Sequence, residues 1–404
     1  MAVGNVEFPK MKPIAGIKLG TSNAGIKQTE RDDILVVEMV EGAVCAGVFT
    51  QNAFCAAPVH VAKENLKHSP RWLLINSGNA NAGTGKQGML DAKASCSYVA
   101  SAVMGDADKV LPFSTGIIGE NLPVEKIEKA LPEAVSNLQQ DNWMQAANAI
   151  MTTDTFAKGA SITIELGGCP VTLTGISKGA GMIQPNMATM LGFVATDAKI
   201  SQSLLQKCLS LAAEQSFNRI TVDGDTSTND ACILMATGCS MAAEITEGSV
   251  HYHVFLKGVM DICKRLAELI VRDGEGATKL MHICVEQAKN DAEAVLVAKT
   301  IAHSPLVKTA FFASDPNWGR ILAAVGRSEI EQMDLDKVEI YLDDVCIVKK
   351  GGRAESYTEE RGQQVMNKEE ILIRVVLARG SAMQEVLTCD LSYDYVKINA
   401  EYRT

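Results

Sequence analysis

Two consecutive glycines, Gly167-Gly168, stand between the β-rich runs 162–166 and 171–176. A two-residue loop free to adopt positive φ at both positions returns the chain antiparallel on itself, so 162–176 is predicted as a β-hairpin. The same logic applied to 34–40 and 43–50, with Glu41-Gly42 between them, predicts a second hairpin over 33–50. WLLI at 72–75 reads as a further strand.

Helical periodicity alternates with these strands. Ala92, Cys96, Val99 and Val103 fall on one face of a helix. Leu204, Leu205, Cys208, Leu209 and Ala212 mark a second, and Leu256, Val259, Cys263, Leu266 and Ile270 a third that stops at Gly274, putting Glu275 in the loop beyond it. A short helix over 141–151, capped by Asp141, delivers Thr152, Thr153 and Asp154 just past its end. After a strand at 278–285, Asn290 and Glu293 form a capping-box pattern for a helix to about His303. Strands at 337–342, 345–349, 371–378 and 384–391 follow, with little helix between them. The change of character near 276–285 divides the chain into 1–280 and a smaller α+β domain, 281–404, within an α/β (α+β) fold class.

Composition narrows the function classes. The 404 residues allow two or three domains, and the net charge of −10 leaves no footprint for a phosphate backbone, so no nucleic-acid partner is expected. No apolar run reaches the roughly 18 residues of a membrane span, and a cytoplasmic protein is expected. Eleven cysteines without a CxxC spacing read as reduced thiols rather than disulfides or metal ligands; no metal and no redox cofactor are expected.

Common catalytic signatures are missing: the chain has no GxSxG, Walker loop, HExxH or GxGxxG after a strand. The run DGDTSTND, 223–230, departs from a calcium loop at Thr228 and Leu234, where glycine and glutamate are needed, and reads as a polar turn touching the active site. Three glycine-rich stretches each follow a strand: NSGNANAGTG from Asn76, STGIIG from Ser114 and KGAGMIQPNMATM from Lys178. Such loops free backbone N–H groups to face a ligand or a developing oxyanion. Thr189, in the third, has no His-Asp pair at recognisable spacing to serve as its base. Cleavage of the Ala188-Thr189 bond supplies one, because the new α-amine titrates near ~8 and sits beside its own hydroxyl.

Five stretches in order, NSGNANAGTG, KGAGMIQPNMATML, TVDGDTSTND, GEGATK and KTAFFASDPNWGRI, together with the C-terminal residues from Asn399 to Thr404, resemble the ornithine acetyltransferase (glutamate N-acetyltransferase) family. The resemblance implies a layered α-β-β-α sandwich like that of N-terminal-nucleophile hydrolases. It implies self-cleavage between Ala188 and Thr189 into chains of 188 and 216 residues that assemble as an α2β2 heterotetramer. Thr189 becomes the nucleophile, Thr115 and Gly116 the oxyanion pair, and Thr152, Lys178, Thr189, Glu275, Asn399 and Thr404 the substrate contacts. The substrates implied are N-acetylornithine and glutamate, with acetyl-CoA a further co-substrate in some members. An aminopeptidase or amidase of the same fold, in which water takes the acyl group, is the alternative; an inert binding protein is a third reading, opposed by the joint presence of Thr189, Lys178 and Glu275.

Overall fold

The computed structural model describes residues 3–402 except Asn5, Gln28, Thr29 and 185–189. The chain divides into two compact units, one of Glu7–Asn218 with Asp225–Ile270, the other of Met1–Val6, Arg219–Gly224 and Val271–Thr404.

The larger unit holds two sheets. Strands β1 (Ile17–Ser22), β2 (Ile34–Met39), β4 (Trp72–Asn79) and β5 (Val110–Ile117) lie in the order β1-β2-β4-β5, antiparallel except for the parallel β4–β5 pair. Strands β3 (Val44–Phe49), β9 (Ala231–Ala236), β8 (Leu191–Thr196), β7 (Cys169–Lys178) and β6 (Lys158–Leu166) form the second in that order. Leu35, Val37, Leu73, Ile75 and Leu111 of the first sheet share one buried cluster with Cys45, Ile176, Phe193, Ile233 and Met235 of the second, so the sheets pack face to face. The outer face of the first is covered by α1 (Ala57–Asn65), α2 (Gly85–Val103) and α3 (Val124–Ser136), whose Val61, Cys96, Val99, Ile127 and Leu131 join Ile34, Val36 and Leu74. A short α4 (Trp143–Ala149) buries Trp143, Ala146 and Ala147 in the inter-sheet cluster. On the outside of the second sheet, α5 (Gln202–Glu214) reads the edge strand through Gln206, whose amide both donates to and accepts from the Gly47 backbone at 3.0 Å. Gly258 of α6 (Val250–Arg272) lies against Ile164 and Leu173, and Leu266 against Gly175. The architecture is the α-β-β-α sandwich.

The Gly167-Gly168 hairpin forms as expected, with Leu166 opposite Cys169 and φ of 60° and 81° at the glycines. The 33–50 hairpin does not. Both strands exist, but β2 pairs with β1 and β4, whereas β3 pairs with β9 in the other sheet; Glu41-Gly42 carries the chain from one sheet to the other. The cap of α4 also differs: Asn142, not Asp141, occupies the position, without a side-chain capping bond.

In the smaller unit β10 (Leu280–Ala288), β11 (Glu339–Leu342), β12 (Val345–Lys349), β13 (Gly352–Arg353), β14 (Glu370–Val376) and β15 (Ala382–Cys389) form one sheet, ordered β13-β12-β11-β14-β10-β15, with only β10–β14 parallel. One buried cluster joins it to α7 (Asp291–Ala302), α8 (Pro305–Phe312), α9 (Trp318–Gly326) and α10 (Glu359–Met366). Asn290 caps α7, its side chain accepting from Glu293 N–H at 2.9 Å, while Glu293 reaches back to Lys289 N–H at 3.1 Å. Helices α8 and α9 fill KTAFFASDPNWGRI, and α10 interrupts a stretch read as nearly all strand. The chain ends on α11 (Tyr393–Ala400).

Candidate active site

Lys178 is the last residue of β7, the strand whose hairpin is set by Gly167-Gly168, and it is nearly buried. Its ammonium donates to Thr152 Oγ1 at 2.7 Å and to Thr115 Oγ1 at 3.1 Å. A hydroxyl oxygen that accepts from an ammonium has its own proton directed elsewhere, so Lys178 sets both threonine O–H groups to donate to a third group.

Asp154 organises the surroundings. Its Oδ1 accepts from Lys158 Nζ at 2.6 Å and from Gly179 N–H at 2.7 Å; Oδ2 accepts from Thr152 N–H at 2.9 Å and lies 4.0 Å from Lys178 Nζ. Burial alone would raise this carboxyl, but the ammoniums of Lys158 and Lys178 and the bonds it accepts outweigh that and hold it well below the usual carboxylate range. Lys27 lies beyond, donating to Ala149 O at 3.3 Å. Burial, reinforced by Arg31 and Lys178 against Asp33 and Asp154, lowers it to about 7.

Thr115 and Gly116 lie just before the last residue of β5, paired with Ser77 and Gly78 of β4. Gly116 has φ of 136°, and a Cβ there would lie 2.2 Å from Gly78 C and 2.5 Å from Asn79 N; only glycine lets the two loops approach this closely. Side-chain amides lock the loops. Ser114 Oγ donates to Asn76 Oδ1 at 2.6 Å, Asn76 Nδ2 to Asn79 O at 2.8 Å, and Asn79 Oδ1 accepts from Asn81 N–H at 2.8 Å. From the polar run 223–230, Asn229 Nδ2 donates to both Ala80 O and Ser114 O. The same run reaches the segment that leads to Thr189, through Thr226 Oγ1 and Gln184 O at 3.5 Å.

In the smaller unit Glu275, buried just past α6, accepts from Asn399 Nδ2 of α11 at 2.8 Å. The loop is held at Gly276 (φ of 71°), where a Cβ would lie 2.6 Å from Ser392 Oγ and Tyr395 N. Asp390 secures the next residues, accepting from Thr278 and Lys279 N–H at 2.8 and 2.9 Å.

The structure therefore brings Thr115, Thr152 and Lys178 together, with Gly116 adjacent, and joins Glu275 to Asn399. Ala188, Thr189 and Thr404 lie outside the described residues. Sequence reasoning missed Lys158, Lys27 and Asn229 as parts of this network. Asp154 was placed beside Thr152 without its partner, because a strand residue four positions on carries no pattern that marks it as an ion-pair partner. Among the described residues no group of three His, Cys, Asp or Glu side chains is arranged to hold a metal, and no helix is long and apolar enough to cross a membrane.

The ArgJ family model matches residues 18–404. The chain is 62% identical, over 99% of its length and 98% of the relative's, to the arginine biosynthesis bifunctional protein ArgJ of Methylococcus capsulatus. It is 54% identical over the full length of both to the protein of that name from Pseudomonas syringae. Among solved structures, the bifunctional ArgJ of Bacillus halodurans superposes with a TM-score of 0.51 at 42% identity, with all of that chain matched by 53% of this one. The chain belongs to the ArgJ family.

Proposed function

We propose that this protein is an acetyltransferase of arginine biosynthesis, carrying acetyl from N-acetylornithine, or from acetyl-CoA, to glutamate through an ester on Thr189. What carries the reading is near-complete alignment at 62% identity with a relative named as a bifunctional enzyme of arginine biosynthesis. Cleavage before Thr189 would yield pieces of 188 and 216 residues.

In the chemistry proposed, the Thr189 hydroxyl attacks the acetyl carbonyl while its proton passes to the Thr189 α-amine. The tetrahedral oxyanion is met by the Thr115 hydroxyl and the Gly116 N–H, the former already turned outward by Lys178. Collapse breaks the amide C–N bond, and the α-amine returns its proton to the departing ornithine nitrogen; with acetyl-CoA the thioester C–S bond breaks and the departing sulfur takes that proton. Glutamate's neutral amine then attacks the acetyl ester and gives a proton to the Thr189 α-amine, which passes it to Thr189 Oγ as the ester C–O bond breaks, releasing N-acetylglutamate and restoring the hydroxyl. Lys178 and Thr152 suit a substrate carboxylate, and the Glu275 carboxylate, steadied by Asn399, suits the cationic side chain of the donor. Thr404 is a further substrate contact in this reading. The two pieces assemble as an α2β2 tetramer in the cytoplasm.

Thr189→Ala tests the reading. The expected result is one uncut 43.2 kDa chain without transfer activity, beside a wild type of two pieces that exchanges label between N-acetylornithine and ornithine. Two pieces from the variant, or transfer activity in it, would refute the assignment.

A further inference from the structure

Asn229 sits one residue pair before β9, in the run 223–230 that the proposed chemistry leaves unused. It is buried. Its carboxamide makes three bonds. Nδ2 donates to Ala80 O at 2.5 Å and to Ser114 O at 2.9 Å, and Oδ1 accepts from Thr228 Oγ1 at 2.5 Å. Both N–H donors and one lone pair of the oxygen are thus used, and reversing the amide would set its oxygen against two carbonyls.

The two carbonyls belong to the two glycine-rich loops. Ala80 follows β4, and its N–H donates to Ile117 O at 2.9 Å across the loops; Ser114 opens the STGIIG stretch of β5. One side chain from the run that leads into the other sheet therefore ties both glycine-rich stretches together. The Ser114 carbonyl is conjugated with the Thr115 N–H in one planar peptide. A hydrogen bond to that carbonyl fixes the peptide's plane, and with it the direction of the Thr115 side chain and of the Thr115–Gly116 peptide that follows.

Asn229 is itself held on both sides. Thr228 O accepts from Ala56 N–H at 2.9 Å, Asp230 O from Thr50 N–H at 3.0 Å, and Asn229 N–H donates to Ser227 Oγ at 3.2 Å. Asn229 is only 6% exposed, so its three bonds act as directional constraints.

We infer that Asn229 is a positioning residue for acyl transfer: its carboxamide, oriented by Thr228, fixes the Ser114–Thr115 peptide and so aims the oxyanion donors of Thr115 and Gly116. The inference rests on the acetyl-Thr189 reading given above. Asn229 touches neither substrate nor nucleophile in this role; it acts through the peptide.

The test is made on full-length, self-processed enzyme loaded from N-acetylornithine carrying a 13C-labelled acetyl carbonyl. Asn229→Ala is expected to lower kcat by about 10- to 100-fold, less than outright loss of an oxyanion donor, with KM for N-acetylornithine nearly unchanged. The labelled ester carbonyl band of the acyl-enzyme should move to higher wavenumber, because a misaimed oxyanion site polarises it less. A residue that only supports the fold would leave that band in place. Where N229A remains uncut, Thr228→Val supplies the measurement: it keeps the carboxamide and removes only the hydroxyl that orients it, and a band shift of the same sign with a fall in kcat of about 3- to 10-fold is expected. A labelled wild type with an unshifted band and unchanged kcat in either variant overturns the role of Asn229 alone. A wild type that never acquires label overturns the acyl-transfer reading, and the inference with it.

Discussion

Removing the Asp154 carboxylate should destabilise the larger unit more than removing the ammonium it faces. The Asp154–Lys158 pair is 2.6 Å apart, with both side chains fully shielded from solvent. At that distance and an effective dielectric constant near 20, the attraction is about 6 kcal/mol, of the same order as the desolvation of the two ions, so the pair as a whole adds little net stability. Breaking it is another matter. Asp154→Ala removes the carboxylate that the buried Lys158 ammonium faces and leaves Thr152 and Gly179 N–H without their Asp154 acceptor, which should cost about 3–5 kcal/mol. Lys158→Met leaves the carboxylate with Lys178 at 4.0 Å and its two backbone donors, so its cost should be clearly smaller. Urea unfolding of both single variants and the double variant provides the cycle, and the double variant should recover part of the loss seen in D154A. The sign with pH is fixed as well. The folded carboxyl titrates below its unfolded value, so its contribution is present above about pH 4 and is lost as pH falls through the folded value; the gap between wild type and D154A should be flat above about pH 5 and shrink in acid. A K158M variant less stable than D154A, or a double variant whose loss is the sum of the two, would refute this account of the network.

Lys27 titrates near 7 in the folded protein against an ordinary value near 10.5, so the unfolded chain holds its proton over that interval and stability attributable to this residue rises with pH. Denaturation midpoints of wild type relative to Lys27→Met, taken from about pH 7 to 10, should climb, and a flat difference would contradict the burial of Lys27. Gly116→Ala should lower acetyl transfer by at least about 100-fold, since its methyl meets the Gly78 backbone, whereas Gly85→Ala, with nothing within 4 Å, serves as the control for positive φ alone. Glu275→Gln should raise KM for N-acetylornithine by about 10-fold or more while sparing the bond to Asn399, because the amide keeps an oxygen acceptor but loses the charge that a cationic substrate meets. An unchanged KM would remove Glu275 from the substrate site.

Local chemistry was legible in the chain, and non-local pairing was not. The Gly167-Gly168 turn and the Asn290 cap are decided within a few residues, and both formed as read. The strands around Glu41-Gly42 were also visible, yet their partners were misread. Strands β2 and β3 are buried along nearly their whole length, so neither shows the alternation that would tell one sheet from two. Helices α8 and α9 are short and overlap KTAFFASDPNWGRI, and neither spans enough turns to show a clear period. At the site, Thr115, Thr152 and Lys178 are named only by what the family resemblance implies, and they meet in space. Lys158, Lys27 and Asn229 were not named, since each acts through a backbone carbonyl or a buried carboxylate brought close only by folding.

The strand order of the five-stranded sheet has a consequence for a chain cut at 188. Strand β7, from before that point, is paired with β8, from after it, over six residue pairs, and β3 is likewise paired with β9 over six. The two products would interlace like fingers of two hands rather than abut as blocks. Neither could be withdrawn without opening two seams inside the sheet, so the cut pair should behave as a single inseparable protein, and substitutions in one piece would be tolerated only as far as the other accommodates them.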